Sequence, residues 1–308
     1  MVYGTENSPQ CGCLAAGWQQ SCTLIYLSGT LKRGKTMAYT ISVVSGKGGV
    51  GKSTFVANIG AALAASGHSV AILDTDLGLR AQDALLGLEN KVVYDLLDVM
   101  NGTCGLETAL IEVPAYPGLQ LLAAAQFTRA RALDPKKLRF LISRLKETHE
   151  FILIDGPAGL EKGFRNILAS GSDRFILLVT PDDLCVRDGE RAFQIMDAKK
   201  LERPCLVVNR LDNDLIQSGE MMNAESVAEL LDLPLLGEIP EDPVVYRSIL
   251  RHIPLIQYES EARNAILRIA SRLTGASVPL PRYGSRKLSL WKKLFRSELK
   301  EVTPLDSH

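Results

Sequence analysis

Short runs rich in Val, Ile and Leu recur along the chain at 40–45, 69–73, 119–123, 151–154, 174–180, 204–209 and 235–239. Runs of this length predict strands, and apolar residues on both faces predict strands buried on both sides. Between them lie longer stretches with apolar residues at helical spacing: 54–66, closed by Gly67, then a short one around 94–100, one from Asp134 to about His149, and others near 186–200, 221–231 and 259–274. Asp134-Pro135 supplies a helix cap followed by proline at the first helical position. Strands alternating with helices predict an α/β fold of three layers, a mostly parallel sheet covered by helices on both faces. In such sheets ligands bind beyond the carboxyl ends of the strands. Strands ending at Ser45, Leu73, Ile154 and Asn209 therefore aim the residues that follow them at one site.

The first of those strands runs into Gly46-Lys47-Gly48-Gly49-Val50-Gly51-Lys52-Ser53-Thr54. This matches the phosphate-binding loop G-x-x-x-x-G-K-[ST] and makes the three-layer sheet a P-loop NTPase. A chain that wraps a triphosphate must point successive backbone N–H groups inward, and glycines permit that curvature. Lys52 supplies a cation for the β- and γ-phosphates, and the Ser53 hydroxyl is placed to ligate Mg²⁺. The helix that begins here aims its unpaired N–H groups and positive dipole end at the same phosphates. A glycine turn capping a helix without a ligand is the bland alternative, and the order strand, loop, helix disfavours it. Asp155 follows an apolar strand, so its carboxylate can hold Mg²⁺ through water; a helix cap at a strand end is the competing reading.

Composition adds little and distribution adds more. Over 308 residues, 46% hydrophobic and 23% charged, Lys+Arg and Asp+Glu both number 35, so net charge selects no polyanionic partner. The C-terminal segment is different. Arg282, Arg286, Lys287, Lys292, Lys293, Arg296 and Lys300 face the single acid Glu298. On a helical wheel Leu290, Trp291, Leu294, Phe295 and Leu299 fall on one side and Arg286, Lys292, Lys293, Arg296 and Lys300 on the other, with Lys287 and Glu298 breaking the apolar arc. Aromatics opposite cations describe an interfacial helix that lies on anionic membrane lipids; docking on its own domain or on a partner is the alternative. Val278-Pro279-Leu280-Pro281 is a stiff linker before it. The expected organisation is an extension at 1–36, a P-loop ATPase domain at 37–276, a linker at 277–285, an amphipathic membrane-targeting helix at 286–300 and a tail at 301–308. The extension lacks the charge and apolar core of a secretory signal, and Met37 precedes a complete domain, so an upstream start assignment or disorder is expected for 1–36. Cys11 and Cys13 form no C-x-x-C pair and are read as part of that extension.

The lysine-bearing loop KGGVGKS resembles that of the MinD/ParA family of deviant Walker A ATPases, with the MinD branch the nearer match. Asp74-Thr75-Asp76-Leu77-Gly78-Leu79-Arg80 is similar to the family's first switch and Asp155-Gly156-Pro157-Ala158-Gly159-Leu160-Glu161-Lys162-Gly163-Phe164 to its second. Val186-Arg187-Asp188 and Leu236-Gly237-Glu238-Ile239-Pro240-Glu241-Asp242 also resemble MinD segments, while Gly156 stands where MinD proteins often carry serine or cysteine. The resemblance implies ATP and Mg²⁺ as cofactors. It makes Asp76 the residue that positions the attacking water and lets Asp74 help Ser53 and Asp155 hold the metal, although two acids at a strand end could simply cap the turn. Lys47 resembles the signature lysine that reaches across a dimer to the other subunit's phosphates; a solvated loop lysine is the alternative. Asn209 is expected to hydrogen-bond the adenine, with a plain turn residue nearly as good a reading.

From the same resemblance follow an ATP-bound homodimer, attachment to the cytoplasmic face of the inner membrane, recruitment of the division inhibitor MinC, and MinE or another topological regulator that triggers hydrolysis. Three other readings stand beside it. A ParA-like partition ATPase would bind DNA, but that needs a basic surface on the ATPase domain, so no specific nucleic acid is expected here. A flagellar-placement homologue is separated poorly by sequence. A scaffold that binds ATP without turnover is disfavoured by Lys47, Lys52 and Asp76 together.

Overall fold

The computed structural model describes residues 38–126 and 133–281. The extension at 1–36 with Cys11 and Cys13, the helix expected at 286–300 with Leu290, Trp291, Lys292, Lys293, Leu294, Phe295 and Arg296, the tail, and the linker beyond Pro281 lie outside the described residues.

Strand β1 (Tyr39–Val44) leads into helix α1 (Lys52–Ala65) and strand β2 (Val70–Asp74). Three short helices follow, α2 (Gln82–Leu85), α3 (Leu96–Asn101) and α4 (Leu106–Ala109), then β3 (Ile111–Glu112), β4 (Leu119–Leu122), α5 (Pro135–Leu145) and β5 (Phe151–Asp155). The second half runs α6 (Lys162–Leu168), β6 (Arg174–Val179), α7 (Asp183–Ala198), β7 (Cys205–Leu211), α8 (Asn213–Ser218), α9 (Ala224–Leu231) and β8 (Leu235–Pro240). Helices α10 (Pro243–Leu250) and α11 (Glu261–Leu273) close the described chain.

The eight strands form one sheet in the order β3-β4-β2-β5-β1-β6-β7-β8. Every pairing is parallel except that of β3 with β4. The parallel strands are buried along almost their whole length, as their mainly apolar runs require. From β1 the chain crosses through α1 to one side of the sheet, and from β6 it crosses through α7 to the other. Right-handed crossovers in opposite directions place α1 and α7 on opposite faces. The loop after β1 therefore sits at the switch point where the strand order reverses, the place where open sheets bind ligands.

Helix α1 is buried almost all round because β2 and β5 lie under it and α11, which also packs on β8, lies against its side. Its small side chains make that possible. A Cβ on Gly60 would stand 2.6 Å from Ile72 Cδ1, so α1 lies closer to β2 than a larger residue would allow. Close packing on two sides fixes where the helix N-terminus points, and that terminus carries the phosphate loop.

The expected helix after Asp134 is present, with the Asp134 side chain accepting the N–H of Lys136 and proline at the first position. The sequence reading missed α10, which has the same signal in Asp242-Pro243. It also missed α2, α4, α6, α8 and the two-residue edge strand β3.

Candidate active site

The chain leaves β1 at Val44, buries Ser45 completely and turns through the glycine loop into α1. Two glycines are dictated by geometry. A Cβ on Gly46 would lie 2.1 Å from the carbonyl oxygen of Asp188 in α7, so nothing larger fits between loop and helix. Gly51 caps α1 at φ 96°, the left-handed conformation that glycine adopts without strain. The loop is also held from outside, where Asn209 at the end of β7 donates its side-chain N–H to the Val50 carbonyl at 2.8 Å. Lys52 is 6% exposed and folds back on its own loop. Its Nζ donates to Ser45 Oγ at 2.9 Å, and that hydroxyl donates to the Lys47 carbonyl at 2.6 Å. Burial holds the Lys52 ammonium below the usual lysine range, opposed by the nearby Asp155 and Asp76 carboxylates.

Three carboxylates gather below the loop because β2 and β5 are adjacent and in register, which pairs Asp74 with Asp155 at their ends. Both are fully buried. Asp74 accepts the backbone N–H groups of Asp76 and Gln82 at 3.1 and 3.2 Å. Burial first, and then the neighbouring Asp155 carboxylate, raise Asp74 well above the ordinary aspartate range. Burial pushes Asp155 up to about 6, opposed by Gln82, Ser53 and Lys52. Asp76 is raised by burial and lowered by Lys52. Asp155 Oδ2 accepts from Gln82 Nε2 at 2.8 Å, whereas Oδ1 is sealed from solvent without a hydrogen bond of normal geometry.

Two adjoining buried carboxylates with an unpartnered oxygen, next to the Ser53 hydroxyl, fit a hard divalent cation that takes oxygen ligands. Among the described residues no group of three His, Cys, Asp or Glu side chains is disposed to hold a metal by itself. A Mg²⁺ here would therefore draw most of its shell from phosphate and water, the usual arrangement for this ion.

Lys47 points the other way. Its side chain is 43% exposed and its Nζ lies 3.6 Å from Asp182, the residue whose carboxylate caps α7. A half-exposed pair of this kind is worth at most about 1 kcal/mol, so the contact parks the lysine without trapping it. Leu79 and Leu184, one beside Arg80 and one beside Asp183, are also exposed. A cavity of about 180 Å³ opens beside Asn209, lined among others by Gly51, Thr54, Asn58 and Asp242.

The residues read from sequence thus converge: Gly46 to Thr54, Asp74, Asp76, Asp155 and Asn209 all stand at the carboxyl ends of β1, β2, β5 and β7. Gly156 donates its N–H to the Val43 carbonyl, and a Cβ on it would lie 2.7 Å from that oxygen, so this chain has drawn the strand ends tightly together. Sequence reasoning missed Ser45, Asp182 and Gln82. Ser45 and Asp182 adjoin recognised segments and carry the ordinary signals of a loop hydroxyl and a helix cap. For Gln82, buried completely at the centre of the carboxylates, no local pattern gives its place.

Residues 41–255 match the CobQ/CobB/MinD/ParA nucleotide binding domain family. The chain is 39% identical to the septum site-determining protein MinD of Helicobacter pylori over 258 residues, 82% of this chain and 96% of that protein. Among solved structures it is similar to MinD in the MinC:MinD cell division protein complex of Aquifex aeolicus, at 36% identity and a TM-score of 0.74, covering 80% of this chain and 100% of that one. It is also similar to the septum site-determining protein MinD of Pyrococcus horikoshii OT3 complexed with Mg-ADP, at 31% identity and a TM-score of 0.69, covering 79% and 100%. Fold, loop and carboxylates together define a P-loop nucleotide-binding protein of the MinD/ParA class. Within that class, the chain belongs to the septum site-determining MinD family.

Proposed function

We propose that this chain is an ATP-driven switch that dimerises with ATP, attaches to the membrane through residues 286–300 and is released by hydrolysis. The observation that carries the reading is the pair of lysines in one loop: Lys52 turned in toward Asp155 and Asp76, Lys47 turned out to a half-exposed ion pair. One cation suits phosphate in its own subunit and the other is free to leave for a second subunit.

In this reading the backbone N–H groups of Gly48 to Ser53 and the N-terminus of α1 bind the phosphates, and Lys52 exchanges Ser45 for the β- and γ-phosphate oxygens. Ser53, Asp155 and Asp74 hold Mg²⁺, which neutralises charge on the β- and γ-phosphates when bound. Asp76, tethered through its N–H to Asp74, positions the water that attacks. Lys47 leaves Asp182 and stabilises charge on the phosphoryl group of the partner subunit, as an arginine finger does. Exposed Leu79 and Leu184 give the face around the site apolar area that a second copy would cover. Thr54 and Asn209 flank the cavity that suits the base, and Asn209 keeps its hold on Val50 while doing so.

Kinship with a MinD solved together with MinC supports recruitment of the division inhibitor MinC and a role in placing the septum, with MinE or another topological regulator setting the hydrolysis rate. The expected domain boundaries carry over unchanged, with the ATPase domain ending near 276 and the anchor at 286–300. Among the described residues no helix is long and apolar enough to cross a membrane; in this reading attachment is peripheral, by the terminal segment at the cytoplasmic face.

Action of Lys47 in trans makes specific ATPase activity rise with protein concentration until dimers saturate. Steady-state turnover measured across the monomer–dimer range, by sedimentation on the same samples, tests this. Flat specific activity would exclude the trans mechanism.

A further inference from the structure

Gln82 has no part in the phosphate loop, yet it donates hydrogen bonds to two of the carboxylates, Asp74 and Asp155. It is fully buried. Its backbone N–H donates to Asp74 Oδ2 at 3.2 Å, and its side-chain Nε2 donates to Asp155 Oδ2 at 2.8 Å and to the Ser53 carbonyl at 3.0 Å. One residue thus ties together the end of β2, the end of β5 and the first turn of α1. Both amide hydrogens are used, while Oε1 is buried without a partner among the described residues. The donors have a specific use. One neutral N–H holds Oδ2 of Asp155 and restrains the carboxylate's orientation, while Oδ1 is sealed from solvent and the Ser53 hydroxyl lies close to the carboxylate.

We propose that Gln82 is a positioning residue for the divalent cation, orienting Asp155 and coupling the segment 74–86 to metal binding. This rests on the P-loop reading above. With its donors in place the carboxylate is presented in one orientation. Without them it can rotate or take up another partner, and the metal loses a preorganised ligand. Because Gln82 begins α2, the same hydrogen bonds place Asp76 and Arg80 on the preceding turn, so metal binding and the order of that turn are linked.

The test compares the full chain with Gln82→Met, which keeps the side chain's length and removes both donors and the orphaned acceptor. Gln82→Leu is the second variant should Met not fold. ADP affinity is measured by calorimetry in excess Mg²⁺ and in EDTA, together with the Mg²⁺ dependence of ATPase turnover. The expected result is a ratio of the two affinities reduced about tenfold, the effect of one charge-assisted hydrogen bond. Affinity in EDTA should be unchanged within about twofold, and the Mg²⁺ concentration for half-maximal turnover raised more than kcat is lowered. Hydrogen exchange across 76–86 should slow on adding Mg-ADP in the parent protein and not in the variant. An unchanged ratio, or equal losses with and without Mg²⁺, would overturn the proposal and leave Gln82 a structural prop. A parent protein indifferent to Mg²⁺ would overturn the P-loop reading and this inference with it.

Discussion

Lys52→Ala is expected to lower ATP affinity by about 100-fold or more while leaving the fold intact. Among the described residues the side chain of the parent lysine makes one hydrogen bond, to Ser45 Oγ, so little of the structure depends on it. Its burial is the informative fact. An ammonium held below its ordinary range by desolvation is stabilised when a polyanion arrives, because phosphate oxygens replace the water it has lost. Hydrogen bonds to charged groups contribute about 1.5–3 kcal/mol each, and Lys52 faces two phosphates in the proposed complex. Alanine also leaves Asp155 and Asp76 without their nearest cation, which further disfavours a triphosphate beside them. Calorimetry with Mg-ATP, with thermal unfolding as the control for folding, gives the answer. Near-normal affinity would show that this lysine does not face the nucleotide.

Asp76→Ala should separate binding from chemistry. Asp76 follows the end of β2, partly buried, its N–H held by Asp74 and its carboxylate close enough to Lys52 to feel the charge. Among the described residues its carboxylate has no hydrogen bond to the loop backbone that cradles phosphate, so removing it should change ATP affinity by no more than about threefold. Positioning and activating the attacking water is commonly worth about 10²–10⁴ in rate, and turnover should fall by that much. Single-turnover measurements at saturating ATP would show a slow chemical step with dimer formation preserved. Turnover at the parent rate would remove Asp76 from the mechanism.

The parts of the site that sequence made legible are those written locally. Strands β1, β5, β6 and β8 announce themselves as Val/Ile/Leu runs because both faces are buried, and the loop motif needs its residue types in fixed order. Edge strand β3, at two residues, is too short to leave a hydropathy signal. Helix α10 has the same Asp-Pro start as α5, but its apolar face of Val244, Val245 and Ile249 is only half-buried, Ser248 is its one buried residue, and Tyr246 and Leu250 lie exposed, so its apolar stripe is blurred. The sequence ends a strand at Asn209, whereas β7 runs on to Leu211, and the side chain's partner is a carbonyl 159 positions away, which only the sheet order brings near. Gln82 is the extreme case. A polar residue between Ala81 and Asp83 reads as surface, and it is buried because 74–86 fold back over the ends of two strands that are far apart in sequence.

The most direct measurement is sedimentation of the full-length protein with anionic liposomes in ATP and in ADP. Burying Leu290, Trp291, Leu294 and Phe295 contributes about 1.5–3 kcal/mol for each side chain fully buried. Interfacial burial is partial, and ordering the helix costs about 1–2 kcal/mol per residue, so a single segment holds weakly. Two segments on an ATP-bound dimer make the second insertion intramolecular and raise avidity by about 10²–10⁴. The predicted result is sedimentation in ATP, little in ADP, and none for Phe295→Glu, whose ATP binding stays normal. Equal sedimentation in both nucleotides, or an unaffected Phe295→Glu protein, would contradict an ATP-gated membrane switch.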